Sequence, residues 1–228
     1  MPAAPCSWPT TFLARGRRRE CEDVAAVAAD LAAGAGEPVD VFGHSIGGVV
    51  VLGAAAIGAP LRRLALYEPP GPPAVNAGWL SRLRALMAAG TPGPAVASFL
   101  VEVVGLTREE VLALRDAPPG PDDVLAVASR TLVGEGEALA AVDLANLAGR
   151  VRQPVLLMCG PAGPAWAAQT VGALAEALPQ AEVVELAGEG HEGVDTAAAA
   201  VAGHLVRFFR PGGAVAVARA SSGPEPPG

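Results

Sequence analysis

A serine set between glycines carries the first chemical signal in this chain. Gly43-His44-Ser45-Ile46-Gly47-Gly48 follows directly on the apolar-rich run Val39-Asp40-Val41-Phe42. A serine hydroxyl becomes a useful nucleophile only where a base reaches it and a carbonyl can approach. Gly-x-Ser-x-Gly at the end of a strand and the start of a helix is the pattern of a nucleophile elbow. Gly43 and Gly47 leave room for the backbone to come close, and the turn presents Ser45 outward. The helix beneath offers free N–H groups, that of Ile46 first, to a developing oxyanion. Five residues alone are a weak pattern in a chain with 28 glycines, and the competing reading is an ordinary glycine-rich turn with an incidental serine. The surroundings decide between them.

Those surroundings read as strand, elbow, helix and strand. Residues 48–58 are small and apolar, suited to a helix packed tightly on a sheet, and the strand-like 63–67 ends at Glu68-Pro69-Pro70. The order predicts a right-handed βαβ unit. Upstream, 20–33 has the spacing of an amphipathic helix, whereas 1–18, with Pro2, Pro5 and Pro9, reads as irregular or disordered. Beyond Pro73 the periodicity turns helical, around 79–89, 94–104, 107–115, 122–133 and 137–147. Thr107-Arg108-Glu109-Glu110 is a capping box. The α/β pattern returns with a strand near 154–159, a helix over 167–177 and a strand over 182–186. The loop Gly188-Glu189-Gly190-His191-Glu192-Gly193 and a helix over 196–209 complete it. The expected fold is α/β, a mostly parallel sheet flanked by helices. Its core is 19–76 with 151–210, 77–150 is a helical lid over the strands' carboxyl ends, and 211–228 is a disordered tail.

Composition narrows the field. The chain of 228 residues suits one domain with a substantial core. Hydrophobic residues make up 51%, yet no apolar run reaches a membrane-spanning length. Cys6, Cys21 and Cys159 are too few and scattered for a disulfide framework or a zinc site, so a reduced, cytoplasmic setting is expected. The net charge of −7 opposes general nucleic-acid binding, and the basic run 15–19 is too short for a binding face.

With the elbow, the helical insertion and a histidine in the last strand-to-helix loop, the chain resembles the α/β-hydrolase family. The resemblance spans about 19–210 and is most specific at 43–48, 66–70, 155–160 and 188–191. It implies Ser45 as nucleophile, His191 as general base and acid, and the Ile46 amide as one oxyanion donor. A serine at the elbow, where epoxide- and halide-displacing relatives have aspartate, implies a small ester, thioester or related acyl substrate and no cofactor or metal. Trp79, Met87, Phe99 and Trp166 are candidates for an acyl pocket or for plain core. His44 is the variable elbow residue and reads as structural, and His204 as a helix residue with a packing or surface role.

The chain departs from the family pattern twice. The triad carboxylate usually follows the strand near 154–159, but Gly160-Pro161-Ala162-Gly163-Pro164-Ala165 has none. Glu68, ending the strand after the elbow, is the best substitute, its competing role being a turn or lid contact; Glu189, Glu192 and Asp195 sit awkwardly close to His191 in sequence. Secondly, the strands expected before the elbow strand, on the order of 60–90 residues with their connections, are not evident in the 38 residues before Val39. A truncated form is therefore expected, with its elbow strand at an exposed sheet edge, a half-built oxyanion hole and weak or lost activity. The alternative is a non-catalytic binding module that keeps part of the fold. A homodimer covering the open edge is a further expectation.

Overall fold

The computed structural model describes residues 15–115 and 121–210. In chain order these form α1 (Arg15–Ala35), β1 (Val39–His44), α2 (Ile46–Ala56) and β2 (Leu61–Tyr67). A helical block follows, with α3 (Ala77–Ala88), α4 (Pro92–Phe99), a π-helical turn (Leu100–Val104), α5 (Arg108–Arg115), α6 (Pro121–Ala140) and α7 (Leu144–Ala148). The chain then returns through β3 (Val155–Cys159), α8 (Ala165–Ala177), β4 (Ala181–Glu185), α9 (Gly193–Thr196) and α10 (Ala198–Phe209). No described helix is long and apolar enough to cross a membrane.

The four strands are all parallel and lie in the order β1-β2-β3-β4. Parallel strands need crossover connections, and α2, the helical block and α8 supply them. The central strands are buried on both faces, which explains their nearly continuous apolar sequences. Alternation assigns each residue to a side. Leu64 and Leu66 of β2, with Val155 and Leu157 of β3, face the larger core, shared with α2, α8 and the helical block. Ala65, Tyr67, Leu156 and Met158 face the smaller core under Leu186, Val201 and Phe208. Among the described residues only α1 precedes β1, which pairs on one side alone and ends the sheet.

Several boundaries differ from the sequence reading. Residues 15–18, expected to be irregular, belong to α1. The remainder of that expected segment, 1–14, and the expected tail 211–228 lie outside the described residues. The final helix, expected over 196–209, is α10, and the separate short helix α9 precedes it. The two helices expected over 122–133 and 137–147 are instead α6, running without a break to Ala140, and the short α7. Helix propensity is low at Gly134 and Gly136, but packing overrides it there. A Cβ at Gly136 would lie 3.1 Å from Leu80 and 3.2 Å from Trp79, so this glycine lets α6 settle onto α3. The capping box forms as read: Thr107 Oγ1 accepts from the Glu110 amide, and the Glu110 carboxylate accepts from the Thr107 amide.

The two glycines of α6 should respond oppositely to substitution. Gly134 has open space around it, so Gly134→Ala should raise stability by up to about 1 kcal/mol through helix propensity. Gly136→Val should lower it by about 1–3 kcal/mol, because the added carbons force α3 and α6 apart. Urea unfolding of the two variants and the parent checks both signs.

Candidate active site

Each strand ends at the same edge of the sheet, and the loop after each delivers one part of a site. After β1 the chain turns sharply at Ser45, which has φ 52° and ψ −129°. Positive φ is costly for a residue with a side chain, about 1–3 kcal/mol, and persists only where the surroundings impose it. Here they do. Ser45 donates its amide to Tyr67 O at 2.9 Å, and Gly48 donates to Ser45 O at 2.9 Å. A Cβ on Gly43 would lie 2.7 Å from the Gly48 Cα, so the approach of strand and helix requires glycine. As the first residue of α2, Ile46 has an N–H with no acceptor one turn back, directly beside Ser45.

The loop after β4 brings His191 over Ser45. Its Nε2 lies 3.0 Å from Ser45 Oγ, and its Nδ1 lies 2.8 Å from Glu68 Oε2. A carboxylate accepts only, so the proton sits on Nδ1, which donates to Glu68. That leaves the Nε2 lone pair to accept from the Ser45 hydroxyl. Glu68, directly after β2, is wholly buried and also has positive φ, at 42°. Its second oxygen, Oε1, accepts from the Gly160 amide at 2.8 Å. Ser45, His191 and Glu68 thus form one hydrogen-bonded chain.

The loop after β3, which holds no carboxylate, is instead kept small where Glu68 and the His191 loop need room. A Cβ on Gly163 would lie 3.0 Å from Glu68 Oε1, and one on Gly160 would lie 2.2 Å from Glu189 O. Of the other acids near His191, Glu189 accepts from Thr196 Oγ1 at 2.6 Å, and neither Glu192 nor Asp195 has a hydrogen bond to the imidazole.

Two residues hold the histidine loop, and sequence reading missed the role of the first. Tyr67 donates its hydroxyl to Gly190 O at 2.6 Å, and burial raises its pKa well above the ordinary phenol value, so it stays a donor. Gly193 is the matching feature, since a Cβ there would lie 2.1 Å from the Tyr67 hydroxyl oxygen. His44, read as structural, donates from Nε2 to His191 O at 3.0 Å, and its ring lies 4.8 Å from that of His191. Burial first, and then the repulsion that a second proton on the His191 ring would exert, lowers its pKa, which favours the neutral imidazole. The glycines of 188–193 were the one visible hint that this loop is tightly held.

Above the chain of hydrogen bonds lies a cavity of about 70 Å³ floored by Ser45, Ile46 and His191. Trp79, Phe99 and Trp166 are on its wall, and Trp79 and Trp166 belong to the larger core as well, so these residues join the two readings given for them. Met87 is not; it packs against the larger core from α3. His204 is on α10, partly exposed, with Nδ1 3.4 Å from Arg207 and no part in the site. Among the described residues no group of three or more His, Cys, Asp or Glu side chains is arranged to hold a metal ion. Cys21 and Cys159 are buried and belong to no disulfide among the described residues, and Cys6 lies outside those residues.

Comparison with known proteins places this geometry in a family. The model of the alpha/beta hydrolase family matches residues 6–204, and the chain belongs to that family. An alpha/beta hydrolase from Sphaerobacter thermophilus is similar over 85% of this chain and 74% of its own, with 35% identity and a TM-score of 0.67. A hydrolase from Pseudomonas aeruginosa covers 92% of this chain and 76% of its own, at 23% identity and a TM-score of 0.65. An esterase from Exiguobacterium antarcticum shares the fold at 15% identity, with a TM-score of 0.60 over 82% of this chain and 73% of its own. No curated protein sequence matches the chain.

The Tyr67 hydroxyl can be tested apart from any activity. Tyr67→Phe leaves the Gly190 carbonyl without its donor and should cost about 1 kcal/mol. Thermal melting should show the loss, and hydrogen exchange of the 188–193 amides should quicken.

Proposed function

We propose that this chain is a serine hydrolase that cleaves a small ester, thioester or related acyl substrate through an acyl-enzyme. The observation that carries the reading is the chain Ser45 Oγ, His191 Nε2, His191 Nδ1 and Glu68 Oε2, with contacts of 3.0 and 2.8 Å. In this reading Ser45 Oγ attacks the carbonyl carbon while its proton passes to His191 Nε2. The carbonyl oxygen gains the electron pair and is held by the Ile46 N–H. Collapse breaks the bond to the leaving alkoxide or thiolate, which takes the proton from His191. Water then gives a proton to His191 and attacks the acyl carbon, and release of the carboxylic acid returns the proton to Ser45.

Glu68 in this scheme replaces the acid that the loop after β3 lacks. It fixes the imidazole with Nε2 toward Ser45 and stabilises the imidazolium as it forms. The helical block supplies the apolar cover of the site, and its position over the strand ends supports the role of a lid. Membership of a family with hydrolase relatives points the same way.

A fluorophosphonate probe tests the proposal. Folded protein should label at one site, Ser45→Ala should abolish labelling, and p-nitrophenyl acetate should be turned over. Glu68→Gln should lower kcat by about 10⁴, the scale on which loss of the orienting acid disables such a triad. Failure of the folded parent to label would sink the enzyme reading in favour of a binding module that keeps the fold.

A further inference from the structure

The wall of the cavity over Ser45 is apolar except at one position. Glu135, on α6, joins Trp79, Phe99 and Leu132 there, whereas the other polar groups, Ser45 and His191, are bound within the triad. Glu135 is partly buried, and no hydrogen bond or ion pair to it is present among the described residues. Its neighbours on the block are treated differently. Glu102 pairs with Arg82, and Glu137 with Arg84 at 2.8 Å. A carboxylate on an apolar wall gives up hydration without a protein cation to offset the loss. A ligand cation would offset it.

We propose that Glu135 selects substrates whose acyl group carries an ammonium a few carbons from the scissile carbonyl. The inference rests on the acyl-hydrolase reading and names the substrate class for that same site. The chemistry agrees on three counts. The carboxylate supplies a charge-assisted hydrogen bond in a place partly shielded from water. The rings of Trp79 and Phe99, with centroids 6.4 Å apart, stand on the same wall, and aromatic rings attract a nearby cation. Acyl groups ending in a carboxylate are rejected, since they would place like charges together in a small apolar space.

The test compares two p-nitrophenyl esters of similar length, that of aminocaproic acid and that of heptanoic acid. The parent should prefer the ammonium ester in kcat/KM. In Glu135→Gln the ratio between the two should fall about tenfold, the scale of one lost charge-assisted bond, and Glu135→Asp should restore part of it. Taking the ratio within one preparation cancels the fraction of active protein, so a merely structural effect would not move it. A second arm needs no turnover: calorimetry of hexylamine and hexanol binding at neutral pH, with parent and Glu135→Gln. Tighter binding of the amine, lost in the variant, supports the proposal even where neither ester is cleaved, in which case only the hydrolase reading fails. An unchanged ratio, or equal binding of amine and alcohol by the parent, overturns it.

Discussion

A carboxylate with no exposure to water must be fully hydrogen-bonded or it destabilises the protein that buries it. Glu68 is in that position, and the partners that satisfy it are the Gly160 amide and the His191 imidazole. The bonds span 92 and 123 residues of sequence, so they join the ends of three different strands. The arrangement therefore has one consistent form. β2 must end beside β3, the loop after β3 must turn its amide inward, and the loop after β4 must fold back over both. Once those conditions hold, Nε2 of His191 faces Ser45 without further adjustment.

The loops pay for this convergence with side chains. Gly43, Gly160, Gly163 and Gly193 each stand where a Cβ would meet another group at 3.0 Å or less. Three of these contacts involve backbone or the ring-bound hydroxyl of Tyr67, neither of which can swing aside as a long flexible side chain can. The sheet supplies the rigidity that makes such close approaches reproducible. Leu64, Leu66, Val155 and Leu157 are wholly buried on one side, and Tyr67, Leu156 and Met158 on the other. The positive φ at both Ser45 and Glu68 falls at the points where this frame hands over to the loops.

The elbow and the succession of strands and helices along the chain were legible because both are local patterns: Gly-x-Ser-x-Gly after an apolar run, and short apolar runs alternating with helices. The placing of His191 was legible only through resemblance, since nothing in the loop 188–193 says what it faces. Glu68 stayed ambiguous for a definite reason. Whether it meets His191 or a turn depends on β2 lying next to β3, a pairing at long sequence separation that no local spacing encodes. Tyr67 was hidden in the same way, its hydroxyl partner lying 123 residues on. The break expected between 133 and 137 has the opposite origin. It was a local reading, and α6 runs through that point with Gly136 packed on Trp79 and Leu80.

The helical block and the triad are not independent parts. Trp166, at the start of α8, donates its indole N–H to Val103 O in the π-helical turn at 2.7 Å, a buried bond between the returning core and the block. The same indole meets the His191 ring edge-on, with centroids 5.3 Å apart. Gly105, just past the turn, packs closely enough on Pro164 that an added Cβ would lie 3.5 Å from its ring. Lifting the block as a whole would break the bond between the Trp166 N–H and the Val103 carbonyl, at a cost of about 0.5–1.5 kcal/mol. It would also remove one wall from the imidazole. The π-helical turn and Trp166 thus tie the helical block to the imidazole that stands over Ser45.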